Sequence, residues 1–279
     1  MISSQNALAV ERAKKIAPYL NEITASQLAH LVGSGALIDH IALGRGSTAN
    51  LGAFYAPFDW VNGEADIILV GVTPGKRQAE HALVSLQKGL AAGIDTQEAL
   101  RTAKEEASFV GAMRKNATVL MDYFRINELL GLRSTGELFN QQIHRVHFTS
   151  AYRYPVLEKG ARGWKDYSGN TSEAKLALPL LSAMVEEFLI PELQSLPNAW
   201  LVPFGPTPAK ILENLARRSV IDSKKILAGL NHPAGTQWNR HNCQMNLVDH
   251  ADCARNVGCD KIQARSRQLL ASVGRQLRG

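Results

Sequence analysis

The chain has 279 residues, 45% of them hydrophobic and 20% charged, with a formal net charge of +6. That mixture is ordinary for a globular protein, and the length accommodates one large domain with a sizeable core or two small ones. The basic balance favours a polyanionic partner such as nucleic acid. Three cysteines, Cys243, Cys253 and Cys259, are too few and too odd in number for a disulfide framework and suit a reducing cytoplasm. No apolar run approaches the roughly 20 residues of a membrane helix. The first fifteen residues lack the basic-then-apolar pattern of a secretory leader. The expectation is a cytoplasmic monomer with no membrane segment.

Residues 5–33 predict two helices, the second opened by Thr24 and Gln27 at capping-box spacing and closed at Gly33 and Gly35. A loop-rich entry over 35–64 carries Gly44, Gly46, Gly52, Pro57 and Gly63. The apolar run 66–70 (DIILV) reads as a buried parallel strand, followed by the turn GVTPG at 71–75 and a helix from Lys76 to about Ala92. Two more helices occupy 95–131. The segment 143–149 (IHRVHFT) reads as a second strand, and 152–170 as a loop. A long helix from Thr171 is expected to break at Pro191. Residues 200–204 (WLVPF) form a third strand, 207–218 a helix, and 225–230 (KILAGL) a fourth strand ending in NHPAG. The tail from Lys261 is a basic helix.

Strands alternating with helices predict an α/β fold, a three-layer sandwich with a central, mostly parallel four-stranded sheet flanked by helices. One domain spans 1–279, with a helical N-terminal extension over 1–50 and a basic C-terminal helix over 260–279. In such sheets ligands bind beyond the carboxyl ends of the strands. The turns GVTPG, TSAYRYP, FGPTP and NHPAG fall at those ends.

Two of these turns carry a resemblance. Gly71-Val72-Thr73-Pro74-Gly75 after its strand, and Asn231-His232-Pro233-Ala234-Gly235 at the end of the last, resemble the two motifs of the uracil-DNA glycosylase superfamily. VHFTSAYRYP (146–155) and LVPFGPTPAKIL (201–212) resemble the strands between them. The likeness covers roughly 55–245 and includes an upstream block, Tyr55-Ala56-Pro57-Phe58-Asp59-Trp60-Val61-Asn62. It departs from the pattern at Thr73, where well-known members carry Asn, Asp or Glu to hold or activate water.

The resemblance implies hydrolysis of the bond between a base and its deoxyribose in DNA. Such a reaction must stabilise an oxocarbenium-like sugar and a negatively charged leaving base. By this likeness His232 donates to the base carbonyl oxygen and Pro233 stiffens its turn. Thr73 positions water, although a hydroxyl is a poor general base, and Asp59 is the candidate replacement. Glu80 and Asp66 are weaker candidates. Gly71, Val72, Pro74, Gly75, Ser150 and Asn231 line the base pocket, with backbone N–H groups of the 71–75 turn adding an oxyanion site. Glycine at 75 leaves room beside the base C5. Ser150 or Thr149 stands where strict uracil enzymes carry an amide, and neither has one, so a larger or modified pyrimidine is the expected substrate. The superfamily includes relatives that remove bulky modified cytosines from phage DNA, which extends the expectation to antiviral defence. The base must be flipped from duplex DNA or taken from a single strand. Gln237, Trp238 and Arg240 supply wedge and phosphate contacts, joined by Lys76, Arg77 and Arg153, with Lys210, Arg265 and Arg267 as further cations.

Each residue also has an ordinary reading. His232 is satisfied by backbone, GVTPG is a tight turn, Asp59 accepts from loop amides, and Thr73 is an N-cap. The cysteines, with His241 and His250 nearby, have x9 and x5 spacings that fit no common zinc pattern, and an iron–sulfur cluster needs four cysteines. No metal or cofactor is expected. His144 and His147 lie on opposite faces of their strand. Two alternatives stay open: a catalytically inactive DNA-binding module of the same fold, and a nucleoside or nucleotide hydrolase whose glycine turns cradle phosphate.

Overall fold

In the computed structural model, which describes residues 2–45 and 50–278 apart from the side chains of Arg45, His250 and Arg255, the chain opens with α1 (Ile2–Glu22) and α2 (Ala25–Ser34). Gly46, read as part of the loop-rich entry, lies outside the described residues. Thr24 caps α2 as its spacing predicts. Its hydroxyl accepts from the Gln27 N–H at 3.2 Å, and the Gln27 side chain accepts from the Thr24 N–H at 2.8 Å. Gly35 ends the helix at φ 80°. A Cβ there would lie 2.5 Å from Cβ of Trp164, so both backbone and packing require glycine.

The strands are β1 (Ala42–Arg45), β2 (Leu51–Phe54), β3 (Ile67–Gly71), β4 (Val146–Ser150), β5 (Val156–Gly160), β6 (Gly163–Asp166) and β7 (Trp200–Pro203). The remaining helices are α3 (Lys76–Ala91), α4 (Thr96–Ala107), α5 (Ala112–Tyr123), α6 (Ile126–Leu129), α7 (Glu173–Leu176), α8 (Pro179–Met184), α9 (Ile190–Gln194), α10 (Pro206–Arg217), α11 (Trp238–Gln244) and α12 (Cys259–Gln276).

The expected central four-stranded, mostly parallel sheet is not what forms. The strands divide into a three-stranded sheet, β4-β3-β7, and a four-stranded antiparallel sheet, β1-β2-β5-β6. Two local causes account for the difference. In the segment 225–230 the strand shrinks to a single parallel bridge between Ile226 and Leu201, with the Leu227 N–H donating to the Leu201 carbonyl at 2.8 Å. Gly229 then turns the chain at φ 144°, where its α-carbon faces the Arg265 carbonyl and Leu269 of α12. The segment 152–170, read as a loop, contains a hairpin instead. Gly160 pairs with Gly163, which takes φ 97°, and a two-residue turn joins β5 to β6.

The expected break at Pro191 is also absent. A π-helical stretch over Val185–Leu189 runs directly into α9, and the chain stays helical through Pro191.

The chain divides into two compact units, each drawn from three stretches: Met1–Gly63, Val72–Ser108 and Phe148–Leu196 form the first, and Glu64–Gly71, Phe109–His147 and Pro197–Gly279 the second. In the first, Ala9, Ala13, Leu20, Leu28, Val32, Leu83, Leu86 and Leu100 bury the facing sides of α1 to α4. In the second, Phe109 meets Phe204 edge-on with ring centres 5.4 Å apart. Cys243 and Cys259 are joined as a disulfide, a single crosslink and not a framework. Packing of α11 on α12 brings their α-carbons to 6.1 Å, a separation invisible in a 16-residue sequence interval.

Candidate functional site

The predicted residues fall in both units: Asp59, Thr73, Gly75, Lys76, Arg77, Ser150 and Arg153 in the first, and Gly71, Asn231, His232, Pro233, Gln237, Trp238 and Arg240 in the second.

In the first unit Asp59 is almost fully buried and sits in a cluster of charge. Its Oδ1 accepts from Arg12 Nη1 at 2.9 Å and from the Tyr154 hydroxyl. Arg153 Nη1 stands 4.0 Å away. Oδ2 of Asp59 has no hydrogen-bond partner among the described residues. Burial, and next the Asp59 charge, push the phenols of Tyr55 and Tyr154 well up, so both stay protonated at neutral pH.

A second buried carboxylate, Glu192, completes the cluster. It takes Arg153 Nη2 at 3.2 Å, the Thr149 hydroxyl at 2.8 Å and Lys104 Nζ at 3.5 Å. Lys104 also donates to the Trp60 carbonyl at 2.7 Å. Burial lowers the Lys104 ammonium to about 8 despite the pull of Glu192. Arg153 is therefore an internal counter-ion and not an exposed phosphate contact; the sequence showed a cation in a loop and could not show its burial.

Thr73 uses its hydroxyl internally. It donates to the Tyr154 carbonyl at 2.8 Å and accepts from the Val156 N–H at 3.0 Å, clamping the 71–75 turn to the start of β5. Its single proton is committed, so it holds backbone in place of water. The N-terminus of α3, expected to offer an oxyanion site, is closed by Asp166. The Lys76 N–H donates to Asp166 Oδ1 at 2.9 Å, and a Cβ on Gly75 would lie 3.2 Å from Asp166 Oδ2. The space that glycine leaves thus admits this carboxylate. Lys76 Nζ is likewise engaged, donating to the carbonyls of Gly33 at 2.8 Å and Trp164 at 2.6 Å. Val72 and Ser150 are half-buried, Pro74 is buried and Arg77 is exposed.

In the second unit the carboxyl ends of β3 and β7 and the 231–235 turn lie side by side. The Phe204 N–H donates to the Val70 carbonyl, and the Gly205 N–H to the Leu230 carbonyl, each at 2.9 Å. Gly205, at φ 97°, brings its α-carbon against His232. Asn231 is a structural pin. Its N–H donates to Gln244 at 2.9 Å, its amide donates to the Arg240 carbonyl at 3.1 Å, and its Oδ1 accepts from Arg265 at 3.1 Å. Pro233 offers its carbonyl to Asn116 at 2.8 Å.

His232 is half-buried, and burial first, then the neighbouring His241, lowers its pKa. Its Nδ1 accepts the Ala234 N–H at 3.2 Å. A neutral imidazole with an accepting Nδ1 carries its proton on Nε2. His241 Nε2 lies 2.9 Å from the His232 carbonyl, an acceptor, so His241 is also the Nε2–H tautomer. Beyond the turn, Trp238 is 60% exposed and Arg240 is exposed, with Arg240 Nη1 donating to Gln237 at 2.7 Å.

Arg12, Tyr154, Glu192 and Lys104 did not stand out in the sequence, because partners separated by tens of residues leave no local pattern. His241 had one signal, its place one helical segment after His232.

No protein-family model matches the chain, and no solved structure matches it. The chain is similar to a Bacillus subtilis (strain 168) protein described as "Uncharacterized protein YoxB", 29% identical over 192 residues that cover 68% of this chain and 73% of that one.

Proposed function

We propose that the chain is a DNA glycosylase that releases a flipped modified or damaged pyrimidine and leaves an abasic site, with defence against phage DNA as one setting. The observation that carries this reading is the state of His232. A neutral imidazole with its proton on Nε2, in a turn beside two strand ends, is a preorganised donor for the carbonyl oxygen of a departing base. The exposed Trp238 and Arg240 that follow supply a stacking face and a cation for a nucleic-acid strand. The +6 net charge agrees with a polyanionic partner.

With the Thr73 proton committed, the reaction leans on stabilising the leaving group rather than on activating water. Asp59 keeps one oxygen without a hydrogen-bond partner among the described residues and is ringed by Arg12, Arg153 and Tyr154. Among the described residues no helix is long and apolar enough to cross a membrane.

The test incubates the full chain with duplex and single-stranded DNAs carrying uracil, a thymine mismatch or a bulky cytosine adduct, and identifies released bases by mass spectrometry. Release from one of them that is lost in His232→Ala is the expected result. Salt-sensitive DNA binding with no release would leave the inactive DNA-binding alternative. Closure of the α3 N-terminus by Asp166 counts against the third alternative, a hydrolase that cradles phosphate there.

A further inference from the structure

The sulfurs of Cys243, Cys253 and Cys259 all lie within 4.8 Å of one another. Cys243 belongs to α11, Cys259 is the first residue of α12, and Cys253 stands in the loop between them. The disulfide uses Cys243 and Cys259. Cys253 is half-buried and packed against the same small apolar cluster, with Val257 and Ile262.

The loop closed by these sulfurs has little core of its own. Leu247 is 64% exposed and Val248 37%. Turns supply its backbone hydrogen bonds, among them Asn246 to Cys243, Asp252 to Asp249 and Val257 to Ala254.

We propose that this cluster, once reduced, is a zinc site in which the thiolates of Cys243, Cys253 and Cys259 hold one Zn2+ and solvent takes the fourth position. Zinc–sulfur bonds of about 2.3 Å in a tetrahedron put sulfurs about 3.8 Å apart, within a small side-chain adjustment of the observed cluster. Cys259 sits at the N-terminus of the 18-residue α12, where the helix dipole favours the thiolate. Three thiolates are too few for an iron–sulfur cluster. Partial exposure at Cys253 gives the ion a way in. The chemistry balances. A dithiol reductant gives two electrons and two protons to the Cys243–Cys259 bond and leaves as its own disulfide. The three thiols then release three protons as the metal binds. The proposal is independent of any glycosylase activity.

The test uses the full chain, reduced by a dithiol without oxygen, loaded with Zn2+ and desalted. One zinc per chain is expected by elemental analysis. Cobalt in its place gives thiolate-to-metal charge-transfer absorption in the near ultraviolet. Cys253→Ser weakens zinc retention against a chelator by tenfold or more, while leaving the Cys243–Cys259 crosslink intact in the oxidised chain. Zinc held equally by wild type and Cys253→Ser overturns the proposal, as does a reduced wild-type chain that retains none. If Cys253→Ser does not fold, the wild-type cobalt spectrum decides: absence of the charge-transfer band sinks the site.

Discussion

The Lys76 N–H donates to Asp166 Oδ1 at 2.9 Å, so the last residue of β6 caps the first turn of α3. A carboxylate there answers both the unpaired amides and the positive end of the helix dipole. Asp166→Ala is expected to lower the unfolding free energy by about 1 kcal/mol, and Asp166→Asn by less. Urea denaturation measures both; an unchanged midpoint in the alanine variant would show that the cap contributes nothing.

Lys104 predicts a pH dependence. Its ammonium is lowered to about 8 in the folded chain from 10.5. Between those values the unfolded chain keeps a proton that the folded chain has released, so stability rises with pH across that window. The buried phenols of Tyr55 and Tyr154, raised in the fold, do not oppose this below about pH 10. The stability of wild type relative to Lys104→Met should grow on the order of 2–3 kcal/mol between pH 7 and 10, read from paired urea titrations. A flat difference would mean that Lys104 titrates as an exposed lysine does.

His232 is a base of the same kind, and its effect has the same sign. Its pKa is lowered in the fold, so as pH falls below about 6.5 the unfolded chain takes up a proton that the folded one resists. Stability falls with it, and protonation of Nδ1 would also break the bond from the Ala234 N–H. Hydrogen exchange at the Ala234 amide should lose protection as the pH falls below the ordinary imidazole range in wild type but not in His232→Gln. Protection that acid leaves unchanged down to the onset of global unfolding would contradict the assigned tautomer.

Gly229 offers a packing test. A Cβ there would meet the Arg265 carbonyl and Leu269 Cβ at 2.9 Å, on a backbone at φ 144°. Gly229→Ala should cost about 2 kcal/mol or more, combining strain with overpacking. Gly93, at φ 73° with open space around it, is the control, and Gly93→Ala should cost about 1 kcal/mol from backbone alone. Equal losses in thermal unfolding would mean that the contact with α12 yields freely.

Much of this fold is legible locally. Thr24 and Gln27 announce the start of α2, the run after Asp66 announces β3, and the helix after Gly75 begins at Lys76 as expected. These elements depend on neighbours a few residues away, so periodicity and capping residues suffice to find them. The antiparallel sheet was not legible. β1, β2, β5 and β6 have only four or five residues each, and β2 pairs with β5 across a hundred positions, so no short window holds both partners.

The site divides in the same way. His232 in its Asn-His-Pro turn and Asp59 in its upstream block were singled out in the sequence by their resemblance to a family's motifs, which short local segments carry. Tertiary structure alone decided what those groups can do. Burial and a backbone N–H set the tautomer of His232, while Arg12 and Tyr154 occupy Oδ1 of Asp59. Asp166 fills the helix end that Gly75 leaves open, and packing of α11 on α12 gathers three cysteines spread over seventeen residues. Charge, hydration and proton affinity depend on atoms within a few ångströms in space, and the order of residues along a chain does not specify which atoms those are.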